Sequence, residues 1–173
     1  FDDLVLLTLG TGIGGGIISG GEILHGYLGM AGELGHLTVE PHAGAPCGCG
    51  ATGCLEAHAS ATAISRMARE MGLGDLTSAQ VYDAALAGDP RARAIFQRMG
   101  QALGLGLALL INTFNFPLYL LSGGVLAAWD LFAPALLEEC RRRSLTFRQT
   151  DTRIDKAALG DEAGLYGAAR LVL

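Results

Sequence analysis

The spacing of apolar residues changes period along the chain, and each change marks an element. Leu4 to Leu9 is a short continuous run of β-prone residues, the length of a buried strand. It ends in Gly10-Thr11-Gly12-Ile13-Gly14-Gly15-Gly16, which reads as one glycine-rich turn, followed by a strand at Ile17-Ile18, a Ser19-Gly20-Gly21 turn and a short strand from Glu22 to Leu24. From Cys54 to Met71 the period becomes helical, with Leu55, Ala59, Ala63 and Met67 on one face. Thr77 or Ser78 caps a second helix that runs to Ala87, and Asp89-Pro90 supplies a cap and a first-turn proline for a long helix to about Ile111. Past the break at Phe116-Pro117, Leu118 to Leu121 reads as a buried strand and Trp129 to Arg142 as a helix, before a strand near Arg153 to Ala158 and a closing helix from Ala163 to Leu173. Alternation of strands and helices makes the class α/β, with a single domain over residues 1–173.

Composition narrows this picture. At 173 residues the chain can hold one core but not two comfortable ones. Half of it is apolar, 17% is charged and 26 residues are glycine, which rules out disorder and coiled coil. A net charge of -5 without a basic block removes the footprint of a nucleic-acid or anionic-membrane binder. Arg141, Arg142 and Arg143 read as a last helical turn facing its negative dipole end. The most apolar stretch, Ala102 to Leu110, is broken by Gly104 and Gly106 and too short to cross a bilayer, so it reads as a buried helix. Phe1 to Leu4 has no cationic or long apolar leader, giving a cytoplasmic expectation, and an opening on Phe1 just before a strand reads as the middle of a larger protein.

Three constellations carry possible chemistry. In the Gly-, His-, Cys- and Pro-rich stretch 31–60, Cys47-Gly48-Cys49-Gly50-Ala51-Thr52-Gly53-Cys54 gathers three thiols, and His36 or His42 can complete a tetrahedral Cys3His zinc site. Free buried thiols are the alternative; a disulfide would leave one sulfur over. Cys140 stands alone on its helix as a core cysteine. The glycine turn satisfies G-x-G-x-x-G but lacks the helix that a dinucleotide site needs and the Lys that a Walker loop needs. It fits either a strand-turn-strand phosphate clamp, with Thr11 adding a hydroxyl donor, or a ligand-free hairpin. Glu33, His36 and Glu56 bracket the cysteine loop, a set suited to hydrogen-bonding several sugar hydroxyls if a metal holds the loop rigid. Glu56 taken alone also reads as a carboxylate favoured in a first helical turn.

Leu9 to Gly16, Gly32-Glu33-Leu34-Gly35-His36 and the cysteine run ending in Cys54-Leu55-Glu56 together resemble the ROK family of sugar kinases and sugar-responsive repressors. Asn112 to Pro117, Leu121 to Val125 and Ala163 to Ala169 extend the resemblance along the chain. The resemblance implies the C-terminal lobe of an actin-like, ribonuclease-H-like ATPase fold, in which hexose and ATP with Mg²⁺ meet in a cleft between lobes. It implies Glu33, His36 and Glu56 as sugar ligands and His36, Cys47, Cys49 and Cys54 as zinc ligands, choosing His36 over His42. Thr11, Gly12, Gly14, Gly15 and Gly16 match the phosphate segment, and Gly123 and Gly124 the adenosine segment. The family's D-x-G-G-T and E-N-D-x-N motifs, the latter bearing the catalytic Asp, precede the glycine turn, where this chain has nine residues. No catalytic base is therefore expected in the chain, and the isolated lobe is expected to be inactive. A homo-oligomer, dimer or higher, is expected, with a sugar-sensing repressor lobe as the alternative function.

Overall fold

The computed structural model describes residues 1–159. A mixed sheet of five strands runs in the order β3-β2-β1-β4-β5. Its strands are β1 (Leu4–Leu9), β2 (Ile13–Ser19), β3 (Glu22–Ile23), β4 (Leu118–Ser122) and β5 (Arg153–Lys156). The first three form an antiparallel meander, while β1, β4 and β5 are parallel, with Thr8 opposite Ser122. The β-hairpin of β1 and β2 corrects one expectation. Gly14, Gly15 and Gly16 are not in the turn; they pair with Thr8, Leu7 and Leu6 inside β2, so the turn is only Gly10 to Gly12. The reason is local packing: a Cβ at Gly15 would lie 2.5 Å from the Gly32 carbonyl and 2.7 Å from the Leu34 side chain. Gly15 admits a crossing segment against the strand, as glycine in a strand commonly does, whereas a Cβ at Gly14 or Gly16 would meet nothing.

The helices are α1 (Leu55–Ala59), α2 (Ala61–Glu70), α3 (Ser78–Leu86), α4 (Pro90–Phe114), α5 (Trp129–Arg143) and α6 (Leu145–Gln149). The single helix expected from Cys54 to Met71 is broken at Ser60, whose extended backbone and side chain, accepting from the Ala63 N–H at 3.1 Å, restart the helix as a cap. Thr77 and Gln80 form a capping box on α3, and Asp89 caps α4 through the Arg91 N–H at 2.8 Å. Asn115, in the left-handed region at φ 52°, ends α4 ahead of Pro117. The short helix α6 and the 3₁₀ turns at 27–29, 34–36 and 124–128 carried no periodic signal in the sequence. The expected closing helix from Ala163 lies outside the described residues.

α4 is the centre of the core. It is long and apolar enough to cross a membrane by length and composition, yet Ile95, Phe96, Met99, Leu103, Leu107 and Ile111 on it are buried among the other elements. A Cβ at Gly100 or Gly104 would collide with the Phe132 or Leu136 carbonyl oxygen, so these two glycines set how closely α4 and α5 approach. Cys140 is buried on α5, as expected of a core cysteine, and its thiol donates to the Gly104 carbonyl at 3.2 Å. The basic end of α5 is less simple than a dipole partner: burial works against ionisation of Glu139, but bonds from Arg143 and Arg142 outweigh it and hold the carboxyl below its usual range.

Candidate sugar, nucleotide and metal sites

The parallel pairing of β1 with β4 brings two glycine turns together at the C-terminal ends of those strands, where open α/β sheets place their ligands. Gly123, at φ 98°, lies against the Leu9 carbonyl so closely that any side chain would clash, and this contact seats the second turn on the first. Gly124 and Val125 border a shallow apolar slot closed by Ile64, Tyr82 and Phe96. Thr11 and Gly12 border a larger cavity, about 310 Å³, shared with Cys47, Gly48, Glu56 and Thr62. Gly14 and Gly15 are exposed on β2, away from the turn proper.

Between the sheet and α1 the chain makes the cysteine loop, which has almost no regular structure. It is tied by backbone pairs: the Val39 N–H to the Gly53 carbonyl (2.8 Å), the Gly53 N–H to the Ala45 carbonyl (2.9 Å) and the Leu55 N–H to the Leu37 carbonyl (2.8 Å). Gly53, at φ 76°, is pressed against the Glu40 carbonyl, where no other residue fits. The Ala45 N–H donates to His58 Nε2 at 3.2 Å, so a histidine on α1 supports the loop from behind. Burial, then the charge of Arg66, holds His58 below its usual value, which suits an acceptor nitrogen.

His36, Cys47, Cys49 and Cys54 converge, one ligand atom from each lying within 4.8 Å of all the others. Zinc bonds of about 2.3 Å to sulfur and about 2.0–2.1 Å to nitrogen require tetrahedral edges of about 3.8 Å between sulfurs and about 3.6 Å from sulfur to nitrogen. The Cys49 and Cys54 sulfurs are 3.7 Å apart, and Cys47 Sγ is 3.6 Å from His36 Nδ1. The donor set and its spacing therefore fit zinc. Burial, with the adjoining Cys49 and Cys47 thiols, pushes Cys54 up to about 12, while the Ala51 backbone and neighbouring thiols lower Cys49. A cation among them is what would let all three ionise. His42 lies outside this group: its backbone N–H turns back onto the Glu40 carboxylate at 3.2 Å.

The carboxylates expected around the loop take different positions. Glu33 is exposed, with Oε2 3.8 Å from His36 Nε2, the ring nitrogen opposite the one facing Cys47. Glu56 is more constrained. Its Oε2 accepts the Ile13 N–H at 2.9 Å, its Oε1 lies 3.8 Å from Cys47 Sγ, and a Cβ on Gly12 would run into the carboxylate. One side chain thus touches both the glycine turn and the metal loop. The sequence reading missed Ser60, His58 and Thr62, which hold these parts in place. Only Ser60 had a signal, as a cap residue inside a helical run, and the others act through contacts with residues distant in sequence.

The family model described as ROK family matches residues 1–173. A glucokinase of Halalkalibacterium halodurans is 40% identical over an alignment covering 98% of this chain and 56% of the glucokinase. The structure of a ROK family glucokinase from Streptomyces griseus, in complex with glucose and AMPPNP, superposes with TM-score 0.85 at 35% identity, covering 98% of this chain and 60% of that one. A ROK family transcriptional regulator homologous to the E. coli MLC protein superposes with TM-score 0.78 at 32% identity, over 90% of this chain and 42% of that one. The chain thus spans somewhat more than half the length of the kinases it matches. Matched along all of its residues by the family model, the chain belongs to the ROK family.

Proposed function

We propose that this chain is the C-terminal lobe of an ATP-dependent hexose kinase of the actin-like, ribonuclease-H-like class, acting on the 6-hydroxyl of glucose or a related aldohexose. The observation that carries this reading is the shared position of Glu56, against the glycine turn through Ile13 N–H at 2.9 Å and against the metal loop through Cys47. Phosphate and sugar halves of a site are thereby brought within one side chain of each other. The likeness to a glucokinase in complex with glucose and AMPPNP supports the same assignment.

In this reading Glu33 and Glu56 accept hydrogen bonds from sugar hydroxyls, and His36, with Nδ1 toward the metal, donates through its Nε2–H to a sugar oxygen; Glu56 retains lone pairs beyond the one used by Ile13. Thr11 and Gly12 supply donors to the phosphates of ATP, Gly14 and Gly16 leave the β2 strand beside them free of side chains, Gly15 seats that strand against Gly32 and Leu34, and Gly123 and Gly124 border the adenosine. The base is the Asp of the family's E-N-D-x-N pattern, outside these residues. It takes the 6-hydroxyl proton as that oxygen attacks the γ-phosphorus in line and the bond from the γ-phosphorus to the leaving ADP oxygen breaks; Mg²⁺ would supply charge neutralisation for the phosphates. His36, Cys47, Cys49 and Cys54 would hold zinc in a closed four-ligand shell, where the ion supplies a cross-link that orients the loop. Placement of the sugar oxygen is where this lobe contributes to rate. The protein in this reading is a cytoplasmic homo-oligomer whose chain binds no nucleic acid.

A sugar-sensing repressor lobe is the second reading, favoured by the likeness to the ROK regulator. Hexose-dependent ADP release by the full-length protein separates the two: turnover on the order of 1 to 100 per second supports the kinase. Hexose binding without ADP release would transfer the assignment to the regulator. The 173 residues alone are expected to release no ADP, because the base lies elsewhere.

A further inference from the structure

We infer that Thr62, on the first turn of α2, is a positioning residue that aims the amides of the glycine turn at the phosphates; this rests on the kinase reading above. Most backbone groups of the turn already have a partner. The Gly10 carbonyl accepts from the Ala61 N–H at 2.9 Å, the Thr11 carbonyl from the Thr62 hydroxyl at 2.7 Å and the Gly12 carbonyl from the Gly10 N–H at 3.0 Å. The Ile13 N–H is taken by Glu56. Two donors remain, the N–H groups of Thr11 and Gly12, which bond to no other described residue.

A trans peptide is planar, with its N–H pointing opposite to its C=O. Fixing the carbonyl of a peptide unit therefore fixes the direction of its amide. The Gly10–Thr11 unit is held by Ala61, so the Thr11 N–H points away from α2. The Thr11–Gly12 unit is held by Thr62, so the Gly12 N–H points away in the same sense. With glycine on its C-terminal side, where φ is least restricted, this unit can flip, and the Thr62 hydroxyl is the group that selects one orientation. The break at Ser60 is what makes the device possible, since it starts a new helix whose first residues face the turn. Thr62 thus acts on phosphoryl transfer through the Gly12 amide, without touching the nucleotide itself.

The test compares the full-length protein with Thr62→Val, which keeps the shape and loses the donor, and Thr62→Ser, which keeps the donor. Steady-state ADP release at varied ATP and at varied hexose, zinc content and melting temperature are measured for each. Thr62→Val is expected to lower kcat/KM for ATP about five- to tenfold, the weight of one hydrogen bond, with unchanged hexose KM and zinc content. Thr62→Ser is expected to restore kcat/KM. An unchanged kcat/KM for ATP in Thr62→Val overturns the inference while leaving the kinase reading intact. So does a parallel loss of hexose affinity and melting temperature that Thr62→Ser fails to repair, the mark of a merely structural threonine. Wild-type protein that binds no nucleotide overturns both readings together.

Discussion

The α4–α5 pair and the cysteine loop between Leu37 and Cys54 are held by opposite means. In the helix pair, Met99, Leu103, Leu107, Phe132 and Leu136 are completely or almost completely buried, and Gly100 and Gly104 let the two backbones nest. Stability there is proportional to apolar area removed from water and is spread over many contacts. The loop buries few large side chains, and its exposed Gly48, Gly50 and Ala51 contribute none. Its shape depends on individual polar ties: backbone pairs through Gly53, the His58 acceptor and a four-ligand cluster. A segment of the first kind tolerates exchange of similar side chains. One of the second kind fails when a single ligand is lost, but can hold polar sugar ligands at an exposed surface, which an apolar core cannot.

Chelating the proposed zinc should break the comparison most sharply. Because zinc-binding energy in loops of this kind is folding energy, on the order of 10 kcal/mol in small zinc domains, chelation should abolish the proposed hexose binding and expose residues 37–54 to protease. The far-UV signal of α4 and α5 should remain, and circular dichroism alongside limited proteolysis reads both. Loss of the helical signal together with the loop would mean that the two regions share one source of stability. Phe132→Ala probes the other side. With Phe132 buried and packed edge-on against Trp129 at 5.5 Å, truncation should cost about 3–5 kcal/mol in a denaturant melt, unfolding core and metal site in one transition.

The smallest expected effect sharpens the contrast through pH. Burial and Arg66 hold His58 below its unfolded value, so the unfolded chain binds a proton that the folded chain rejects. Stability from the neutral His58 is therefore complete above about pH 6.5 and is lost as pH falls towards the folded value. His58→Gln, which can still accept the Ala45 N–H, should lose less stability than the wild type between pH 7 and 5.5. The difference between the two proteins across that range isolates His58 from every ionisable group that both proteins share. Equal losses would place the loop's acid sensitivity elsewhere.

Legibility in the sequence followed the same division. The long core helix was readable because its apolar period and its Asp89-Pro90 start are local signals, and β1 and β4 because short apolar runs were bounded by turn residues. The cysteine cluster was readable because its ligands are close in the chain and chemically distinctive. Three features were not. The extent of β2 was hidden because Gly14 to Gly16 have turn propensity, and only pairing with β1 makes them a strand, against which Leu34 and Gly32 pack at Gly15. The split at Ser60 was hidden inside a continuous helical period. The bond from Ile13 to Glu56 spans 43 positions and leaves no local trace.

By itself, then, the order of residues determined the α/β class, the core helices, the thiol cluster and the residue types available for sugar and phosphate. Each depends on neighbours within about one helical turn or one tight loop, where propensity and spacing act directly. Spacing left His36 and His42 open, family resemblance pointed to His36, and the tertiary structure brings His36 to the cysteines; only the tertiary structure decided that the turns at Gly10–Gly12 and Gly123–Gly124 are adjacent and that Thr62 and Glu56 hold the first turn from two sides. Those choices follow from strand register and from helix starts meeting distant backbone, and the energy that selects them is shared across the whole packed domain.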